Sequence, residues 1–191
     1  LNHLGEFISQ EEGEEIKLMA ESGSTAVEYA SVGHLGKVTL VTDAIEQHIM
    51  AIVDHPLVDA RVISEARLKV VVDCINSTGS ISIPPLLEIL GVEYELINAD
   101  LSGAFAHNPE PLPEHLTELC AAVLQHKASL GISVDPDVDR LALVSEGGIF
   151  FGEEYTLVCA ADYVLGHKKG PLVTNLSSSR ALADLAKMYD V

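Results

Sequence analysis

The apolar and polar positions of this chain alternate between helical spacing and short continuous apolar runs. Ser9-Gln10-Glu11-Glu12 has the S-x-x-E form of a capping box and predicts a helix to about residue 21, with Ile16, Met19 and Ala20 on one face. Ser22-Gly23-Ser24 ends it, and the small, polar stretch up to Lys37 reads as a linker. Thr42 can cap a helix over 44–54, where Ile45, Ile49, Ile52 and Val53 recur at helical spacing before Pro56 stops it. A second short helix is expected over 58–66. Lys69-Val70-Val71-Val72-Asp73-Cys74-Ile75 is a β-branched run without alternation, the look of a strand buried on both faces of a parallel sheet. Asn76-Ser77-Thr78-Gly79-Ser80 reads as a tight turn into a helix through Pro84-Pro85, ending at Gly91 as a C′ glycine. With a strand over 92–97 this makes a β-α-β unit, hence a right-handed crossover and a parallel pair.

A Pro-rich loop over 98–113 leads to a helix over 114–125 carrying Leu116, Leu119, Ala122 and Val123. Strands are expected over 130–134 and 141–145, then the turn Glu146-Gly147-Gly148 and Ile149-Phe150-Phe151, closing as a hairpin. A helix over 156–165, a basic turn over 166–170, a strand over 171–175 and a helix over 179–188 follow. The expected fold class is α/β: a three-layer α/β/α arrangement with a mixed, mainly parallel sheet, plus the start of a second similar unit. Three segments are expected: 1–40 as the tail of a preceding domain and a linker, 41–151 as a complete α/β domain, and 152–191 as the truncated start of the next. The chain begins at Leu1 without an initiator Met, and is expected to be a fragment.

Between the two central apolar runs lies Asp135-Pro136-Asp137-Val138-Asp139-Arg140. Alternate positions of an extended backbone point the same way, so Asp135, Asp137 and Asp139 can converge. Three crowded carboxylates repel, and a divalent cation relieves this; oxygen-only ligands favour a hard ion, Mg2+ first. Arg140 has a guanidinium suited to a phosphate or an Asp oxygen. A solvated acidic turn is the bland alternative. An EF-hand loop would place Asp135, Asp139 and Glu146 at positions one, five and twelve, but its sixth position requires Gly and holds Arg140, and the flanks read as strands.

Composition narrows the partners. With Lys+Arg 11 against Asp+Glu 29, the net charge is −18, which disfavours nucleic acid and anionic membrane surfaces. No apolar run is long enough to cross a bilayer, and no signal peptide pattern is seen. Cys74, Cys120 and Cys159 are odd in number and widely spaced, which indicates neither a zinc knuckle nor a disulfide framework and fits a reducing cytoplasm. The histidines show no metal-ligand spacing. Asn76-Ser77-Thr78-Gly79 could hold an anion at a helix N-terminus, but lacks the Lys and glycines of a Walker loop and reads first as capping.

The stretch Asp135-Pro136-Asp137-Val138-Asp139-Arg140-Leu141-Ala142 resembles the metal loop of the alpha-D-phosphohexomutases, the phosphoglucomutase, phosphomannomutase and phosphoglucosamine mutase enzymes. The likeness extends to Asn108-Pro109-Glu110-Pro111-Leu112-Pro113, to Phe151-Gly152-Glu153-Glu154-Tyr155 and to residues 173–182, and covers the middle of a family member. The resemblance implies Asp135, Asp137 and Asp139 as Mg2+ ligands and Arg140 as a catalytic, phosphate-side contact. It implies transfer of a phosphoryl group between C1 and C6 of a hexose or hexosamine phosphate, through a phosphoserine on a preceding domain. No phosphoserine loop is present: in Ala106-His107-Asn108-Pro109 an alanine holds the nucleophile position, and the match reads as chance. Nor is Gly152-Glu153-Glu154-Tyr155 the family's later sugar-reading loop. The remaining domains of a parent chain would be required partners, and the chain alone is expected to be inactive. The rival readings are a haloacid-dehalogenase-type phosphatase, whose D-x-D begins on the first strand, and a non-catalytic metal-binding module.

Overall fold

The structure, a computed structural model, describes residues 1–21 and 30–191. They fall into two compact units, Leu1–Val41 and Thr42–Val191. In the first, helix α1 (Gln10–Glu21) starts at the expected capping box: the Ser9 N–H donates to Glu12 Oε2 at 2.8 Å and the Glu12 N–H to Ser9 Oγ at 3.2 Å. None of its residues is buried, and Ile16, Met19 and Ala20 are exposed. The expected stop at Ser22-Gly23-Ser24 lies outside the described residues.

The second unit is built on a four-stranded sheet of β1 (Lys69–Asp73), β2 (Glu93–Ile97), β3 (Leu130–Val134) and β4 (Leu141–Ser145), in the order β2-β1-β3-β4. β1 pairs in parallel with both β2 and β3, and β4 pairs antiparallel with β3. The continuous apolar run of β1 is explained by its central place. Val70 and Val72 face a core shared with helix α4 (Gly79–Ile89), while Val71 faces the opposite core under helix α5 (Thr117–His126). Burying each such side chain contributes about 1.5–3 kcal/mol. β2, at an edge, alternates instead: Tyr94 and Leu96 turn inward, while Glu93 and Glu95 meet Lys69 Nζ at 2.8 and 3.6 Å.

The chain steps from β1 one way to β2 and then back past β1 to β3. Right-handed crossovers running in opposite directions place their helices on opposite faces, which gives the expected three layers. Helices α2 (Ala44–Val53) and α3 (Ala60–Glu65) join α4's side, through Val53 and Ile63. Past β4, the turn returns through Ser145 N–H to Ile149 O at 2.9 Å, and a single bridge, Val144 to Phe150, replaces the full third strand expected there. Helices α6 (Glu153–His167) and α7 (Ala181–Tyr189) close a small core around Leu165, Leu182 and Leu185.

Three local expectations are corrected. Asp43, not Thr42, occupies the N-cap of α2, and its carboxylate takes a bond from Gln47 Nε2 at 2.7 Å rather than from the helix backbone. α6 runs on through His167, over the first two of the five residues read as a basic turn. The stretch 171–175, read as a strand, forms none: Val173 is 94% exposed, and an isolated β-branched run has no neighbour to take its backbone hydrogen bonds.

Gly131 on β3 has no room for a side chain. A Cβ there would lie 2.7 Å from Val123 Cγ2 and 3.0 Å from Val144 Cβ, both in the closed core under α5. Gly131→Ala is therefore expected to lower stability by about 1–3 kcal/mol, the usual cost of overpacking, read by chemical denaturation at constant m-value.

Candidate metal centre

β1 and β3 are adjacent and parallel, and their following segments leave in opposite directions. In open α/β sheets such a switch point leaves a crevice at the carboxyl ends of the strands. The acidic loop, residues 135–140, hangs from the end of β3 at this place and returns as β4. One oxygen from each of Asp135, Asp137 and Asp139 can be chosen so that all three lie within 4.8 Å of one another. The structure thus brings the three aspartates together, though through a turn over 136–138 and not through the extended backbone expected.

They are not equivalent. Asp135 is 1% exposed, while Asp137 and Asp139 reach solvent. Asp135 Oδ1 accepts the backbone N–H groups of Asp139 and Arg140, both at 3.0 Å, and Oδ2 accepts Arg140 Nε at 2.9 Å. Burial works against its charge, but the Arg140 N–H and guanidinium outweigh this and hold its carboxyl below the usual aspartate range. Contact with Asp135 pushes the Asp139 carboxyl the other way, with further charge from Asp137. The loop closes through the Val138 N–H to Asp135 O at 3.1 Å, with Val138 at φ 62°. A β-branched residue in the left-handed region costs on the order of 1–3 kcal/mol and persists only where its surroundings demand it.

The demand comes partly from the neighbouring strand's turn. Ser77 Oγ donates to the Pro136 carbonyl at 2.9 Å and Thr78 Oγ1 to the same oxygen at 2.5 Å. Thr78 stands at the N-cap of α4 without capping it; its hydroxyl carries the acidic loop instead. Gly79 lets the two segments meet, since a Cβ there would lie 2.7 Å from Val134 Cγ2. The capping reading of Asn76-Ser77-Thr78-Gly79 missed this role. A pair of hydroxyls after a buried parallel strand was the available signal.

Beside the loop lies a second buried carboxylate. Asp73, 1% exposed at the end of β1, accepts the Ile75 N–H at 3.1 Å and Asn98 Nδ2 at 3.2 Å, and meets His107 Nε2 at 2.9 Å. His107 thereby ties the Pro-rich loop to the sheet. Arg140 reaches the same loop, with Nη1 3.9 Å from Glu110 Oε1.

Set against known proteins, residues 46–148 match the family described as phosphoglucomutase/phosphomannomutase, alpha/beta/alpha domain II. The chain belongs to the phosphoglucomutase/phosphomannomutase family. It is 38% identical over 147 residues to a phosphoglucomutase/phosphomannomutase of Thermococcus kodakarensis, covering 76% of this chain and 32% of that one. It is 30% identical over 185 residues to a protein of Methanopyrus kandleri named as a phosphoglucosamine mutase, covering 96% of this chain and 39% of that one. The chain thus spans well under half the length of these curated relatives. A phosphoglucomutase/phosphomannomutase family protein from Burkholderia thailandensis has the same fold, with a TM-score of 0.75 at 24% identity over 96% of this chain and 38% of its own. These relatives are phosphomutases, and the antiparallel β3–β4 pair carrying the aspartates does not favour a dehalogenase-type site. Among the described residues no helix is long and apolar enough to cross a membrane.

The Asp73–His107 pair makes stability depend on pH. Burial opposes the charge on His107, but the Asn108 carbonyl and the Asp73 carboxylate outweigh it and raise its pKa above the ordinary histidine value. A group raised on folding contributes its stability below the unfolded pKa and loses it as pH rises through the folded one. The melting temperature is expected to fall as pH rises above about 6.5, the ordinary histidine value, and His107→Gln to flatten that part of the profile.

Proposed function

We propose that this chain forms the metal-binding α/β domain of a phosphohexomutase, which moves a phosphoryl group between the C1 and C6 oxygens of a hexose or hexosamine phosphate. One observation carries the reading: three carboxylates converge at the switch point of a family α/β domain, with an arginine bound to the innermost. Residues 41–151 are that domain, 1–40 the end of a preceding domain and a linker, and 152–191 the beginning of the next. A phosphoserine on the preceding domain would give and regain the phosphoryl group. The three cysteines are free, which fits a reducing cytoplasm.

The donor set fits Mg2+: oxygen ligands only, on a short loop braced from both sides. Asp135 Oδ1 is filled by two N–H donors, but Oδ2 accepts one and keeps acceptor capacity. Asp137 and Asp139 are exposed, and Asp139 lies against Asp135 with its Oδ1 3.8 Å from Arg140 Nε. When bound, Mg2+ supplies positive charge against the transferred phosphoryl oxygens. Arg140 has two tasks in this reading. Its Nε orients the buried ligand Asp135, as outer-shell partners of metal ligands do, and its η nitrogens present a fork to a phosphate.

Two measurements test this. In calorimetric titration with Mg2+, Asp137→Asn is expected to bind at least about tenfold more weakly than the wild type, the scale seen for lost metal-site partners; equal affinities would exclude the ligand role. In a full-length protein carrying this segment, Arg140→Lys keeps the charge but loses the fork. It is expected to lower kcat by roughly ten- to a hundredfold, about 1.4–2.7 kcal/mol. An unchanged kcat would exclude the phosphate role and leave Arg140 only as the partner of the buried Asp135.

A further inference from the structure

Glu110 approaches Arg140 at Nη1, whereas Asp135 and Asp139 approach it at Nε. The fork has Nε on Asp135 at 2.9 Å, and its Nη1 lies 3.9 Å from Glu110 Oε1. Both side chains remain partly open, at 39% for Arg140 and 58% for Glu110. An ion pair this exposed contributes little to stability. The backbone that delivers Glu110, however, is held at several points. Its N–H donates to Asn108 Oδ1 at 3.1 Å, and its carbonyl takes the Leu112 N–H at 2.8 Å and contacts His115 Nδ1 at 2.9 Å. Pro109 and Pro111 flank it, and Pro111 is buried. Three residues upstream, His107 is clamped to the buried Asp73. Five residues over 107–111 thus aim one carboxylate at the outer edge of one guanidinium.

We infer that Glu110 is an internal counter-anion, a positioning residue that holds the outer edge of the Arg140 fork until a phosphate group takes its place. The inference rests on the proposed role of Arg140 toward phosphate. A carboxylate and a phosphate are rival acceptors for the same η donors, and both suit a planar fork. In the free state Glu110 lies against Nη1, while Nε stays on Asp135 with Asp139 Oδ1 3.8 Å away. Binding a phosphate then requires release of Glu110, which lowers the apparent affinity by the fraction of forks already occupied. Removing Glu110 should therefore strengthen phosphate binding, whereas damage to the fold would weaken it.

The test uses inorganic phosphate, titrated calorimetrically into this chain at saturating Mg2+ and low ionic strength, where surface charges are least screened. Glu110→Gln is compared with wild type, with Arg140→Ala, and with Glu114→Gln, which removes one exposed negative charge nearby. Glu110→Gln is expected to bind phosphate roughly two- to fivefold more tightly, the range for an exposed ion pair, with Glu114→Gln unchanged and Arg140→Ala much weaker. Equal gains in both glutamine variants would mean bulk charge and overturn the inference. So would an unchanged or weaker Glu110→Gln against a wild type whose binding depends on Arg140. Phosphate binding that is absent in the wild type, or indifferent to Arg140→Ala, would instead overturn the phosphate role of Arg140 and the inference with it.

Discussion

The functional end of this domain depends on keeping one carboxylate, Asp135, charged where water hardly reaches it. Desolvating an isolated carboxylate costs several kcal/mol even after relaxation. Here the compensation comes from two backbone N–H groups and a guanidinium of the loop's own second half. To reach Asp135, residues 135–140 must bend back on themselves, which places Val138 in left-handed backbone and leaves Asp137 and Asp139 facing out. The exposed ligands are thus presented by the contacts that stabilise the buried one. Arg140 also sets a fixed positive charge behind the acidic donors, which offsets part of their mutual repulsion.

The sheet decides where this happens. β1 lies between β2 and β3, and the segments after β1 and β3 leave in opposite directions, so neighbouring loops part at the carboxyl ends of these two strands. Two buried carboxylates stand there, Asp73 and Asp135, each with its own surroundings. Asp135 is paired by local donors. Asp73 takes its partners from distant segments, Asn98 and His107, and so fastens the Pro-rich loop to the sheet. The first anchors the acidic loop, while the second anchors the segment that carries Glu110. Family membership and geometry meet at this point: the matched segment, residues 46–148, contains both.

The readable parts of the chain were those where physics is local. The run of Val70, Val71 and Val72 declared a strand covered on both faces, since no residue was spared for solvent. Ser9 and Glu12 declared a helix start, because each satisfies the other's backbone within four residues. The alternation of Asp135, Asp137 and Asp139 pointed to a convergence, although a turn through Val138 produces it and their unequal burial could not be read from spacing. Where the pattern misled, the missing ingredient was a neighbour. Residues 171–175 have the composition of a strand but no strand to pair with, and Thr42 has the chemistry of a cap but sits one residue too early.

By itself, then, the sequence determined the order and kind of the main elements and the trio of acidic side chains, because periodicity and capping act over a few residues. Only the tertiary structure decided what holds that trio. Ser77 and Thr78 grip Pro136 from 58 or more positions away, and Asp73 meets His107 across 34. Such contacts depend on which strand ends lie side by side. That follows from the direction of each crossover and the packing of α4 and α5 on opposite faces, which no local stretch of residues encodes alone.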